Sequence, residues 1–240
     1  MTGPLLDIRG LVKDYQALRP LRVRELTVAP GSILSLAGFD AEAAEMFVHL
    51  VTGAALPDQG DVTLFGTNTR AVTDAAAWLR SLDGLGLVSH RAVLVDMLSV
   101  LQNVALPLTL DVEPIAPAVR PRVEALAREV GLAETLWDRP LGHMEPEVTW
   151  RVRLARALAP DPSLIVAEHP SATLPREAVA KVAREVTSLA AARGAALVSL
   201  TADGEWVRHV GGEVRTLRPG TGELTTGGLL DRVWRVFGGG

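Results

Sequence analysis

The sequence contains no cysteine, which excludes disulfides and thiolate metal sites and fits a reducing compartment. Lysine is nearly absent too. Lys13 and Lys181 are the only lysines among 24 basic residues, so positive charge rests almost wholly on arginine. With the abundance of Ala and Val, this reads as the coding bias of a GC-rich genome and not as a function. There is no basic surplus: the formal charge of −4 and the pI near 5.8 leave no electrostatic footprint for nucleic acid. No apolar run approaches the roughly 18 residues that span a bilayer. The opening "MTGPLLDIRG" lacks the basic flank and apolar core of a signal peptide. A cytoplasmic chain is the expectation. What the sequence does have is 240 residues of 48% hydrophobic content, enough to bury a large core in one domain carrying a sizeable insertion.

Periodicity orders the chain. "LLDIRGLVKDY" and "RVRELTVAP" alternate like half-buried strands, and "GSILSLAG" is apolar on both faces, as a central parallel strand must be. "AEAAEMFVHLV" has helical spacing behind Asp40, a natural cap. "DQGDVTLFG" and "LGLVSH" read as strands, and "DMLSVLQNVALPL" as a turn entering a helix stopped by Pro107. After the break "PIAPAVRP", "RVEALAREVGL" and "WRVRLARALAP" are helices. A strand "SLIVAEHP", a long helix "REAVAKVAREVTSLAAARG" and a strand "AALVSLTAD" follow. Strands alternating with helices imply a parallel α/β sheet, and the strand-poor stretch of about 85–155 implies a helical insertion.

At "SLAGFDAEAAEMFVHLVTG" an apolar strand runs into Gly38 and an apolar helix leaves it, the outline of a phosphate-binding loop. Such a loop reads G-x-x-x-x-G-K-[ST], its amides cradling phosphates while Lys and Ser/Thr meet the terminal phosphates and Mg²⁺. Counted from Gly38, the last three places hold Ala43, Ala44 and Glu45.

The order of elements, with "VAPGSILSLAG", "VTGAALPDQGDVTLFG", "LSVLQNVALPL", "RVRLARALAPDPSLIVAEHP" and "LVSLTAD", resembles the ATP-binding subunit of an ABC transporter over roughly residues 5–225. The resemblance implies a P-loop NTPase-like ABC ATPase fold, with a parallel-sheet core, an antiparallel β subdomain and a helical insertion. On that basis residues 1–240 form a single domain, with the core at about 1–88 and 156–226, the insertion at about 89–155, and a C-terminal tail at about 227–240 beyond the match.

Carried over residue by residue, the resemblance finds the chemistry missing. Tyr15 stands at the adenine-stacking aromatic and alone has the expected type. Ala41 and Ala43 replace glycines, Ala44 replaces the phosphate-gripping Lys, and Glu45 and Met46 replace the Ser/Thr pair. His90 takes the place of the metal-sensing Gln, Glu168 that of the Asp ordering the metal, His169 that of the Glu polarising water, and Ala202 that of the switch His. The LSGGQ signature aligns with Met144, Glu145, Pro146, Glu147 and Val148, which bring two carboxylates and a residue without an N–H to a place where amides should grip a γ-phosphate.

Losing the Lys removes about 2–3 kcal/mol. A carboxylate at Glu45 near a phosphate oxygen costs on the order of 4 kcal/mol at an effective dielectric near 20. Together these amount to roughly four orders of magnitude in affinity. No replacement Lys or Arg near the loop is evident from the sequence. The expectation is a catalytically inactive pseudo-ATPase with no catalytic residues, no metal and no cofactor, binding ATP and Mg²⁺ only if the degenerate site is competent after all. Glu168 and His169 are adjacent and lack a third partner for a metal. Glu42 and Glu45 also suit the first turn of a helix on dipole grounds alone.

The docking segment "AVLVDMLSVLQNVALPL" looks preserved, in a spelling most like lipid- or lipoprotein-moving branches. The resemblance implies a transmembrane permease subunit as partner at Leu98, Val100 and Asn103, and pairing with an active ABC ATPase paralogue or with itself as a dimer. The place implied is peripheral, on the inner face of the cell membrane. A soluble scaffold without a permease and an ATPase with rewired chemistry are the alternatives. The tryptophans Trp78, Trp137, Trp150, Trp206 and Trp234 are scattered and read as packing, with Trp150 the one placed to meet a partner.

Overall fold

The computed structural model describes residues 3–226 apart from Pro219. Trp234 and the C-terminal tail lie outside the described residues. Within them the chain builds one ten-stranded sheet with two unlike halves. In the antiparallel half, β1 (Leu6–Lys13) lies between β2 (Leu21–Val28) and β4 (Gln59–Leu64), and β5 (Thr67–Asn68) forms the edge beyond β4. The parallel half runs β3 (Ile33–Ala37), β8 (Ala196–Thr201), β7 (Leu164–Glu168), β6 (Leu85–Ser89). A hairpin joins the halves: β9 (Glu213–Arg218) pairs parallel to β3, and β10 (Glu223–Thr226) pairs antiparallel to β9 and touches β2 through Glu223 and Arg22. This hairpin, the short β5, and the helices α2 (Ala75–Ser81) and α7 (Gly204–Val210) have no counterpart in the sequence reading. Their apolar positions are too few or too mixed to declare a period.

The central strands face two cores, which explains their unbroken apolar runs. Leu164 and Val166 of β7 face one core with Leu36, Phe47 and Val198, while Ile165 and Ala167 face the other with Val104, Leu154 and Val182. Helix α1 (Ala41–Thr52) covers the first face. The second lies under α3 (Val100–Ala105), α4 (Arg120–Glu129), α5 (Pro146–Leu158) and α6 (Arg176–Ala192). Ser99 closes a capping box with Gln102 that starts α3. α5 begins four residues before Trp150, where the apolar period starts, because Pro146 sits in the first turn, the one place in a helix that tolerates it.

All four parallel strands end on the same side, which brings their following loops together. The turn after β3 is tight. Gly38 adopts φ +79°, and a Cβ there would lie 2.9 Å from the Leu217 carbonyl oxygen, so glycine is required.

Candidate functional site

The expected phosphate loop is a capped helix. Only Gly38, Phe39 and Asp40 separate β3 from α1. The Asp40 carboxylate accepts the Ala43 N–H at 2.8 Å, and its carbonyl accepts the Ala44 N–H at 3.0 Å. Two of the amides that a phosphate loop leaves open are thereby bonded within the chain. Phe39 is wholly buried and meets Phe47 edge-on at 5.7 Å, which pulls the turn into the core. Ala43 and Ala44 are buried beside it, and Met46 is partly buried against the same core.

A cation does enter the site, contrary to the sequence reading. Arg91, just past β6, pairs with Glu45 on α1 and with Glu168 at the end of β7, its Nη2 lying 2.9 Å from Glu168 Oε2. The Ser89 hydroxyl donates to the same oxygen at 2.7 Å. The sheet register sets this contact, since Ser89 and Glu168 are directly paired across β6 and β7. Glu168 is 1% exposed, so its charge needs these donors. Glu45, which the sequence presents as an uncompensated carboxylate, is one leg of an ion-pair bridge linking α1, β6 and β7.

The other expected positions fall around this bridge. His169 has φ +42°, donates its backbone N–H to the Leu200 carbonyl at 2.9 Å, and places Nε2 3.1 Å from the Asp40 carbonyl. An N–H on Nε2 is required for that bond, and it pins the end of β7 to the start of α1. His90 and Ala202 are exposed. Tyr15 is partly buried against the core near Asp40 and Glu42; burial first, and then those carboxylates, push its phenol above the ordinary value. Among the described residues no group of three or more His, Asp or Glu could hold a metal ion.

At the positions aligned with the signature, Glu145 precedes α5 without capping it by a side-chain bond, and Pro146 occupies the first turn. Met144 and Val148 pack on the core. Glu147 does not face outward as a bare charge. Arg151 donates to it at 2.8 Å and holds its carboxyl below the usual range, with Lys181 a further partner at 3.4 Å.

The docking positions need correction. Val100 is fully buried, and Asn103 is buried with its amide bonded to the backbone of Val95, Leu98 and Ser99. Neither side chain can meet a partner, because both face inward to fix the preceding loop. Leu98 is partly buried on the same core. The exposed apolar side chains of this segment are Val93, Val95 and Met97, at 79%, 39% and 89% exposure. Trp150 is likewise buried, 6.3 Å from Trp206. The indole N–H groups of Trp78, Trp137 and Trp206 bond to Thr52, Leu132 and Ser199, as packing residues do.

Arg91 and Ser89 were missed by sequence reasoning. The available signal was two carboxylates, Glu45 early in α1 and Glu168 at the end of β7, with no cation assigned to either.

A mixed sheet with this strand order, two covered faces and loops gathered at the parallel strand ends is the fold of an ATP-binding cassette. It matches the dimeric ATP-binding cassette MJ0796 bound to ADP and Pi with a TM-score of 0.72, covering 93% of this chain and 100% of that one at 21% identity. The chain is 32% identical over 218 residues to the lipoprotein-releasing system ATP-binding protein LolD 2 of Caulobacter vibrioides, covering 88% of this chain and 93% of that protein. It is 30% identical over 207 residues to the LolD protein of Alcanivorax borkumensis, covering 85% and 90%. No family model matches. The chain belongs to the family of ABC transporter ATP-binding proteins.

Proposed function

We propose that this chain is a non-hydrolysing member of an ABC transporter complex, a pseudo-ATPase that serves as a fixed structural subunit or a brake. The observation that carries the reading is the Asp40–Ala43 cap together with the Arg91 bridge. One supplies internally the anion that a phosphate would be, and the other supplies the cation that Lys and Mg²⁺ would be. Nucleotide would have to displace a carboxylate from the helix N-terminus and break the pairing of a buried glutamate before making any contact of its own. At the mouth, Asp40 and Glu42 add repulsion toward phosphate. ATP and Mg²⁺ therefore do not fit the residues present. Signature residues that begin a helix with Glu145 and Pro146 offer little to a partner's nucleotide either, so neither shared site of a dimer would be complete.

The relatives named above are ATP-binding proteins of lipoprotein-releasing systems, which supports a transmembrane permease as partner and a related cargo. Pairing would be with an active ABC ATPase paralogue or with a second copy of this chain. No helix among the described residues is long and apolar enough to cross a membrane, consistent with attachment to the inner face of the cell membrane through such a permease. The strip Val93, Val95 and Met97 is the surface offered for docking.

The experiment is calorimetric titration of MgATP into the purified chain, with a phosphate-release assay alongside. A dissociation constant weaker than about 1 mM, near −4 kcal/mol, and no turnover above buffer are the expected results. Micromolar binding would overturn the reading.

A further inference from the structure

In the antiparallel half the sheet comes apart between β2 and β10. These strands pair at a single position, Glu223 opposite Arg22, where the Arg22 N–H donates to the Gly222 carbonyl at 2.7 Å. Beyond that point, among the described residues, β2 has a strand partner only in β1 and β10 only in β9. The parting leaves a cleft of about 750 Å³, lined by Arg22, Arg24, Glu25 and Thr27 of β2 and by Leu224 and Thr225 of β10. One side chain does there what a neighbouring strand would otherwise do: Arg215 of β9 donates from Nη1 to the Glu25 main-chain carbonyl at 2.7 Å. An open main-chain edge of this kind is a template for a further strand.

Charge decides which strand. Along β2, Leu21 and Val23 are buried while Arg22 and Arg24 are exposed, so both guanidinium groups stand on one face, about 7 Å apart along the chain, the spacing of alternate side chains in any extended strand. Neither side chain makes a hydrogen bond or an ion pair among the described residues. Of the two carboxylates that line the cleft, Glu25 is already paired with Arg9, and only Glu223 has no ion pair. Two unpaired cations against one unpaired carboxylate leave a positive surplus.

We infer that this cleft is a strand-addition site for an extended, acidic peptide segment of another protein. Its main chain pairs with the free edge of β2, and carboxylates at alternate positions meet Arg22 and Arg24 across the strands. The main-chain edge selects a polypeptide over a small anion, and the two arginines select acidic residues over apolar ones. β2 and β6 are far apart in the strand order, so this surface is separate from the docking strip that follows β6 and does not depend on the nucleotide reading.

The probes are two end-blocked synthetic octapeptides of alternating valine and acidic or amide residues, identical except for Glu in one and Gln in the other. In calorimetric titration into the full chain the Glu peptide should bind about fivefold or more tightly than the Gln peptide. High salt should shrink that preference, and the Arg22→Gln/Arg24→Gln double variant should abolish it. Both arginines are exposed, so the variant should keep the wild-type circular dichroism and melting temperature. A Glu peptide N-methylated at alternate main-chain nitrogens on its pairing edge should lose about tenfold in affinity, because its strand edge can no longer donate. Equal affinity of the Glu and Gln peptides overturns the acidic specificity. Undiminished binding of the N-methylated peptide overturns strand addition and leaves a mere charge contact. Failure of the full chain to bind either peptide overturns the proposal outright; if deletion of residues 227–240 then permits binding, the chain's own following segment is the occupant.

Discussion

Arg91 and Glu168 lie 77 residues apart in sequence and 2.9 Å apart in space, the arginine reaching from the end of β6 to a carboxylate that is 1% exposed at the end of β7. Removing the arginine leaves a buried charge held mainly by the Ser89 hydroxyl. Arg91→Met should therefore lower stability by about 3–5 kcal/mol in urea unfolding. The double change Arg91→Met/Glu168→Gln should recover much of that loss, since the uncompensated charge goes with it. A single variant as stable as wild type would show that the bridge does not hold the site closed.

Glu45 shares the same arginine from a more open position, its side chain 46% exposed. Glu45→Ser should cost no more than about 1 kcal/mol, because water screens that leg of the bridge. Comparing its urea midpoint with that of Arg91→Met tests which carboxylate the arginine serves.

Placing a lysine at position 44 should not produce tight nucleotide binding. Ala44 has no exposed surface, and the amides around it are bonded to Asp40. Ala44→Lys is expected to lower the melting temperature and leave MgATP affinity weaker than about 1 mM in calorimetry. Micromolar affinity in this variant would mean that the cap opens readily.

The pH dependence of stability should carry a contribution from Glu147. Its folded pKa lies below the ordinary glutamate value, chiefly because Arg151 donates to it. Protonation is thus harder in the folded state, so the contribution is fully present above the unfolded value and is lost as pH falls through the lower folded value. Wild type should be more stable than Glu147→Gln at pH 7, with the difference closing progressively below about pH 4.5. A difference that persisted undiminished into strong acid would show that it is not electrostatic.

For docking, Met97→Glu or Val93→Glu should release the chain from its membrane partner while thermal unfolding stays near wild type, since both side chains are in solvent. Val100→Glu should instead unfold the protein by burying a charge. Co-purification with a tagged permease, read beside circular dichroism, separates the two outcomes.

The strands β1 to β4 and β6 to β8, α1 with its Asp40 cap, and the long helices of the second half were legible in the sequence, because apolar periodicity and capping residues are local signals. The family frame and its parallel sheet were legible for the same reason. The identity of Glu45's partner was not. Arg91 is one arginine among many, and only the alignment of β6 with β7 and their approach to α1 place it between two carboxylates. Nor could spacing separate Val100 and Asn103 from Val93 and Met97, since which side of a short helix and its leading loop faces inward is decided by what packs against it. Sequence alone determined that Asp40, Ala43, Ala44 and Glu45 stand where β3 turns into α1. Tertiary structure decided how Glu45 is partnered, because an ion pair between distant segments exists only once the sheet has brought them within reach.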